Sequence, residues 1–200
     1  VWFASSAWMA NEWLQFKKIV QPQLFLSDVD LPPSSTRPDP GGPDLRGIDA
    51  KGPGLFIPTG GSSGNLKFAW HDFATLSHAA DGCARFFLGR EFCEGDFHYR
   101  CCLPLWHVSG WMTVARAFLA NSRLVFGSIE DGGNSGLETQ GGSRWISLVP
   151  TQLKRIVENG EAESLQQFDF VVIGGASCAA EWIDGLIHSG VDPWLTYGMT

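Results

Sequence analysis

The hydrophobic and polar residues of the chain follow two alternating patterns. Short apolar runs, typical of buried strands, are separated by longer segments in which apolar residues recur every three or four positions, as on the buried face of a helix. Strands that alternate with helices predict βαβ units and an α/β fold with a largely parallel sheet. The predicted strands cover 1–4, 24–26, 66–71, 97–105, 123–126, 145–149, 170–173 and 193–196, and the predicted helices cover 10–20, 73–87, 111–119, 151–157 and 179–188.

Two of these helices begin at a polar residue that is suited to cap them. Asp72 precedes the segment 73–87, and Thr151 begins the segment 151–157. A side-chain oxygen at such a position accepts a hydrogen bond from the first free backbone N–H groups of a helix. The first of the two helices is predicted to bury a face formed by Phe73, Leu76, Ala80, Cys83 and Phe87.

Proline and glycine are concentrated in two stretches. Residues 31–54 hold most of the prolines and several glycines, which predicts a surface loop with little regular structure. Residues 127–142 form a glycine-rich connection between two predicted strands. The sequence contains no internal repeat.

The composition is that of a globular protein with an acidic balance. The 200 residues are 44% hydrophobic, and 14 basic residues face 21 acidic ones, for a net charge of −7. This balance argues against nucleic acid as a partner, and no apolar run approaches the roughly 20 residues that span a bilayer. We expect a cytoplasmic protein. Because the chain opens with Val1 in an apolar run and stops at Thr200, we expect a fragment of a larger domain.

The five cysteines are expected to be structural thiols. Their number is odd, none forms a Cys-x-x-Cys pair, and no cluster has the spacing of a metal site. Two of them are adjacent, Cys101 and Cys102, within an apolar segment where packing is their expected role.

A Gly/Ser-rich loop that ends in a lysine carries the strongest chemical signal. It follows the apolar run at 55–57. Glycines let the backbone approach a ligand, hydroxyl and N–H groups donate hydrogen bonds, and the lysine supplies a mobile positive charge. This combination predicts a phosphate-binding loop. Its residues are Thr59, Gly60, Gly61, Ser62, Ser63, Gly64 and Lys67.

Other interpretations of this loop remain open from the residues alone. The spacing of a nucleotide-kinase P-loop fails, because Lys67 comes three residues after Gly64. The pattern Gly-x-Ser-x-Gly does match at residues 60–64, which permits a serine hydrolase with Ser62 as nucleophile. A nucleophile elbow requires a helix after the loop, whereas residues 66–71 alternate as a strand does. A Gly/Ser hairpin without a ligand is the third possibility.

Four further segments follow predicted strands. In open parallel sheets, ligands bind beyond the carboxyl ends of the strands, so these segments are expected to meet at one crevice. They are 104–110, 149–151, 174–177 and 197–200.

Taken in order, these segments and the Gly/Ser loop resemble the adenylate-forming superfamily of acyl- and aryl-CoA ligases, luciferases and adenylation domains. Residues 59–67 resemble its Thr-Ser-Gly-Thr-Thr-Gly-x-Pro-Lys-Gly loop, with Leu66 and Phe68 departing from the usual Pro and Gly. Residues 103–110 resemble its Leu-Pro-x-Phe-His-x-x-Gly motif, and 197–200 resemble the start of Tyr-Gly-Met-Thr-Glu. The resemblance covers nearly the whole chain.

The resemblance implies a fold and a set of site residues. The fold is a layered αβα sandwich, and residues 1–200 are part of its large N-terminal domain without the C-terminal lid domain. Lys67 would contact phosphate, Tyr197 would stack on adenine, and Thr200 would contact the α-phosphate. The expected catalytic residues are Lys67, His107 and Thr200. The acid would bind His107, Ser109, Gly110 and Thr151. The nucleotide would bind residues 59–64, Lys67, Gly174, Gly175, Ala176, Tyr197, Gly198, Met199 and Thr200.

Within the superfamily, several segments look most like the o-succinylbenzoate–CoA ligases of the cyanobacterial type. The segments are 1–22, 58–64, 68–71, 107–110 and 149–153. This implies an enzyme that uses ATP, Mg²⁺ and coenzyme A to convert an aromatic diacid to its CoA thioester, in menaquinone or phylloquinone biosynthesis. Another acyl-CoA ligase, an adenylation domain or a nucleotide-binding module without activity are the alternatives. The sequence does not identify the residues that bind the second carboxylate or the oligomeric state.

Overall fold

The computed structural model describes residues 54–59, 67–91, 93–129, 137 and 141–198. The elements predicted at 1–4, 10–20 and 24–26, and all but the last residue of the loop at 31–54, lie outside these ranges. The chain divides into two units, residues 1–73 and residues 74–200. None of the described helices is long and apolar enough to cross a membrane.

The described part of the first unit is an antiparallel hairpin. Strand β1 covers Gly54–Thr59 and strand β2 covers Lys67–Asp72. The register pairs Gly54 with Asp72 at one end and Thr59 with Lys67 at the other. Residues 60–66 therefore connect two paired strands, and the strand predicted from the alternation at 66–71 is confirmed.

The second unit alternates strands and helices as the pattern predicts. After the hairpin the chain continues directly into a helix, and a short 3-10 helix precedes the fourth strand of the sheet. The elements are α1 (Phe73–Leu88), β3 (Phe97–Cys101), α2 (Val108–Leu119), β4 (Leu124–Phe126), β5 (Ser143–Leu148), α3 (Pro150–Glu158), the 3-10 helix (Ala162–Gln167), β6 (Phe170–Ile173), α4 (Ala180–His188) and β7 (Pro193–Leu195).

The five strands form one parallel sheet in the order β4-β3-β5-β6-β7. Successive residues of a strand point to opposite faces, and the central strand shows the result. Trp145 packs among buried residues that include Ala117 of α2, together with Phe87 of α1. Ile146 packs on the opposite face with the apolar residues of α3 and α4. The expected α/β fold with an αβα layering is confirmed for this unit.

Several element ends differ from the predictions. Strand β3 ends at Cys101 instead of residue 105, and α2 begins at Val108 instead of 111, because residues 104–107 form a turn. Phe73 was expected on the buried face of α1, but 66% of its surface is exposed. The 3-10 helix was not predicted, since six residues are too few to show a helical period.

Candidate active site

A cleft opens at the carboxyl ends of β3, β5, β6 and β7. Its volume is about 240 Å³, and its walls are mainly apolar. The strand order places these four strand ends side by side, which is where an open parallel sheet binds its ligands. The cleft is lined by Leu103, Val108, Ser109, Met112, Arg116, Ser147, Leu148, Val149, Val172, Gly174, Gly175 and Thr196.

The segment between β3 and α2 forms one wall. Ser109 lines the cleft, and the buried Gly110 allows α2 to lie close to the preceding turn, because a Cβ there would be 2.3 Å from the carbonyl oxygen of Pro104. His107 is the N-cap residue of α2 with an exposed side chain, and that side chain makes no capping hydrogen bond. His107 directly precedes Val108 and Ser109, which line the cleft, and its exposed ring is accessible to a ligand.

The segment between β5 and α3 corrects one sequence prediction. Thr151 was expected to cap α3, but it lies inside the first turn, and the N-cap residue is Val149. The side chain of Gln152 caps the helix instead, since its Oε1 accepts a hydrogen bond from the N–H of Val149 at 3.0 Å. Val149 lines the cleft, whereas Thr151 is exposed and is not among the residues that line it.

Two glycines after β6 meet the end of β7. A Cβ on Gly174 would lie 2.1 Å from Oγ1 of Thr196, and Gly175 has a φ of +88°, a conformation that favours glycine. Both glycines and Thr196 line the cleft. Ala176 is exposed just beyond, and Tyr197 is 93% exposed, so its ring is free to stack on a planar ligand. Met199 and Thr200 lie outside the described residues.

The cleft contains a charged group that no sequence motif indicates. Arg116 lies on the face of α2 that lines it, with its guanidinium carbon 5.1 Å from the ring centre of Trp145 and 5.8 Å from that of Tyr99. It is the one charged residue among those lining the cleft described above. In the sequence, an arginine within an apolar helix gives no signal of a ligand site.

The described surroundings of Arg116 leave its charge without a counter-ion. No carboxylate in the described ranges forms an ion pair with it, and its buried Nε has no hydrogen-bond partner there. Burial raises the pKa of Tyr99 well above its usual value and also raises the pKa of Cys83. Sγ of Cys83 accepts a weak hydrogen bond from Nη1 of Arg116 at 3.7 Å. Both Tyr99 and Cys83 stay neutral at pH 7. The site thus offers an uncompensated cation to a ligand.

The segment predicted to bind phosphate lies between the two strands of the hairpin. Thr59 and Lys67 are paired residues of β1 and β2, so the loop begins and ends on neighbouring strands. A nucleophile elbow joins a strand to a helix, whereas residues 60–66 lie between two paired strands, which is not the context for Ser62 as a hydrolase nucleophile. Residues 60–66 themselves, which include the predicted phosphate-binding glycines and serines, lie outside the described residues.

All five cysteines carry free thiols. Cys101 and Cys102 donate hydrogen bonds from Sγ to the carbonyl oxygens of Leu103, at 3.5 Å, and of Ser147, at 3.3 Å. Cys93 is exposed. Among the described residues, no group of three or more His, Cys, Asp and Glu side chains is arranged to hold a metal ion.

Comparison with known proteins identifies the family. Residues 8–200 match the family of AMP-binding enzymes, which is almost the whole chain. The chain belongs to the AMP-binding enzyme family. This confirms the resemblance that the order of its motifs indicates.

Two curated relatives are named 2-succinylbenzoate–CoA ligase. The one from Salmonella typhimurium is 36% identical over 99 residues, which cover 49% of this chain and 20% of the relative. The one from Escherichia coli is 32% identical over 143 residues, which cover 71% of this chain and 29% of the relative. The chain thus spans less than a third of the length of either protein.

Two solved structures resemble the fold of this family member. E. coli MenE, with a bound analogue of OSB-AMS, has a TM-score of 0.56 and 27% identity over 73% of this chain and 30% of its own. The o-succinylbenzoate–CoA synthetase of Bacillus subtilis, in complex with ATP and magnesium, has a TM-score of 0.60 over 72% of this chain and 30% of its own. At 21% identity, the second likeness concerns the fold alone.

Proposed function

We propose that the intact protein is an ATP-dependent acid–CoA ligase that acts through an acyl-adenylate, with o-succinylbenzoate as its acid. Membership of the AMP-binding family supports the class of reaction. One observation carries the choice of acid: the apolar cleft contains the uncompensated cation of Arg116. An aromatic acid with two carboxylates needs an apolar wall for its ring and a positive charge for the carboxylate that does not react.

The acid side of the site is assigned to α2 and the turn before it. The guanidinium of Arg116 would pair with the ring carboxylate of the substrate, since planar guanidinium groups bind carboxylates through two parallel hydrogen bonds. Ser109, which lines the cleft, and His107, which precedes the lining residue Val108, would contact the succinyl carboxylate that is activated. This assignment supplies the second-carboxylate partner that the sequence does not identify.

The nucleotide side is assigned to the Gly/Ser loop and the segments after β6 and β7. Lys67 and the loop would bind the β- and γ-phosphates, and Thr200 the α-phosphate. Tyr197 would stack on adenine beside Gly174, Gly175 and Ala176, because an exposed aromatic ring offers a face for a base. Magnesium would enter with ATP as part of the substrate and neutralise phosphate charge.

The proposed reaction has two steps. In the first, a carboxylate oxygen of the acid attacks the α-phosphorus of ATP, the bond to the bridging oxygen breaks, and pyrophosphate leaves with the electron pair. In the second, the thiol of coenzyme A attacks the acyl carbon, loses its proton, and expels AMP. The protein residues bind and align the reactants and stabilise their charge, which are the main contributions that such transfers require.

Pyrophosphate release by the intact protein tests the proposal. We expect release from ATP only when an aromatic carboxylic acid is present, with o-succinylbenzoate the best acid tested. A fatty acid or an amino acid that exceeds it tenfold in kcat/KM would overturn the choice of acid but leave the class of reaction. Absence of acid-dependent pyrophosphate release with every acid would overturn the class.

A further inference from the structure

Beyond the last paired residues of β3 and β5, side chains join the two walls of the cleft. The parallel register of these strands ends with Arg100 opposite Ile146. The chain then continues on one side to Cys102 and Leu103, and on the other through Ser147 to Val149. Leu103, Ser147 and Val149 all line the cleft, so its shape depends on what connects these two segments.

Gln152 connects them with both ends of its amide. Its Oε1 accepts from the N–H of Val149 at 3.0 Å, and its Nε2 donates to the carbonyl oxygen of Cys102, also at 3.0 Å. The hydrogen bond from Sγ of Cys102 to the carbonyl oxygen of Ser147 lies in the same junction. A glutamine that only capped α3 would need the first contact and not the second.

We propose that Gln152 is a positioning residue that sets the acid specificity of the site by fixing the spacing of the β3 and β5 walls. Gln152 itself is not among the residues that line the cleft described above. It acts through Cys102, which precedes the wall residue Leu103, and through Val149, whose Cγ1 lies near Gly175. The change that we expect in KM for the acid rests on the proposed function, whereas the change that we expect in hydrogen exchange at Val149 does not.

Two variants distinguish the hydrogen bond to Val149, which caps α3, from the hydrogen bond to Cys102, which joins the two walls. Gln152→Met keeps the length of the side chain and removes both hydrogen bonds. Gln152→Glu, with its carboxylate ionised, retains an acceptor for the N–H of Val149 and removes the donor to Cys102. Gln167→Met is the matched control, because Nε2 of Gln167 donates to the carbonyl oxygen of Ser164 in the 3-10 helix, within an element remote in sequence from both walls.

The kinetic experiment measures KM for the acid and for ATP in the intact protein. For Gln152→Met we expect KM for the best acid to rise about 3- to 10-fold, as for the loss of a neutral hydrogen bond, while KM for ATP changes less than about twofold. Gln152→Glu should raise the acid KM as well, and the rise should persist at high salt, which would screen a mere repulsion by the new carboxylate. Gln167→Met should change neither constant.

Hydrogen exchange supplies a readout that does not depend on the substrate. The amide of Val149 should exchange faster in Gln152→Met and stay protected in Gln152→Glu. The inference is wrong if KM for the acid is unchanged in both Gln152 variants, or if KM for ATP rises as much as KM for the acid. If Gln152→Met does not fold, the persistent rise in acid KM for Gln152→Glu decides alone. An intact protein that ignores o-succinylbenzoate but shows the Gln152 effect with another acid overturns the proposed substrate and keeps the positioning role.

Discussion

Arg116 offers the sharpest test of the proposed acid site. Arg116→Met keeps an unbranched aliphatic side chain and removes the guanidinium, whose carbon lies 5.1 Å from the ring centre of Trp145. A charge-assisted hydrogen bond contributes about 1.5 to 3 kcal/mol, which corresponds to about 10- to 150-fold in kcat/KM. We expect a loss in this range for o-succinylbenzoate, because no other charged residue is among those that line the cleft described above.

The assay compares two acids in both proteins. Benzoylpropionate carries the same succinyl arm as o-succinylbenzoate but no ring carboxylate, so it has no group for the guanidinium of Arg116 to bind. Its kcat/KM should change less than about threefold in Arg116→Met. Arg116→Lys keeps the charge without the planar donor fork, and we expect an intermediate loss with the diacid.

Equal losses of kcat/KM with both acids would refute the proposed pairing of Arg116 with the ring carboxylate. That result would mean that Arg116 supports the cleft through its stacking on Trp145 and Tyr99 and binds no carboxylate. An unchanged kcat/KM with the diacid would remove Arg116 from the site altogether. Thermal unfolding of each variant, measured alongside, separates a loss of activity from a loss of folded protein.

Three further predictions concern the intact protein. Lys67→Ala should lower kcat/KM for ATP about 10- to 150-fold with little change in melting temperature, and an unchanged value would refute the phosphate-binding role. His107→Ala should weaken use of the acid more than binding of ATP, as isothermal titration with ATP alone and acid titrations at saturating ATP can show; a collapse of ATP affinity would place it in the nucleotide site instead. Gly174→Ala should destabilise the protein by about 1 to 3 kcal/mol in urea, because the new Cβ overlaps Oγ1 of Thr196, whereas the control Gly82→Ala, in an open position of α1, should stabilise it by about 0.5 to 1 kcal/mol.

The periodic pattern predicts the sheet well because burial alone decides those strands. Residues 170–173 are an uninterrupted apolar run, and the strand has these same bounds. The helix starts are predicted less well, since competing caps decide them. At α3 the rule that favours a hydroxyl selects Thr151, whereas the amide of Gln152 reaches back to Val149 and begins the helix earlier.

The residues of the candidate site likewise differ in how far the sequence predicts them. Segments that follow strands are predictable in place, because parallel strands present their carboxyl ends at one edge, and Ser109, Gly174 and Gly175 do line one cleft. Arg116 was not predictable in this way. Its proposed role depends on the neutral state of Tyr99 and Cys83 and on the stacking against Trp145, which are tertiary contacts that no local pattern encodes.

The thiols at the exit of β3, buried at Cys101 and half-buried at Cys102, can report how often this part of the protein opens. Burial raises the pKa of Cys102 to about 11, so at pH 7 about one molecule in 10,000 carries the reactive thiolate at that position. Iodoacetamide should therefore modify the exposed Cys93 quickly and Cys101 and Cys102 only when the segment around them unfolds locally. With Cys93 replaced by serine, the slow alkylation of Cys102 would measure how often the wall of the cleft opens to solvent, and any ligand that holds the wall closed would lower that rate.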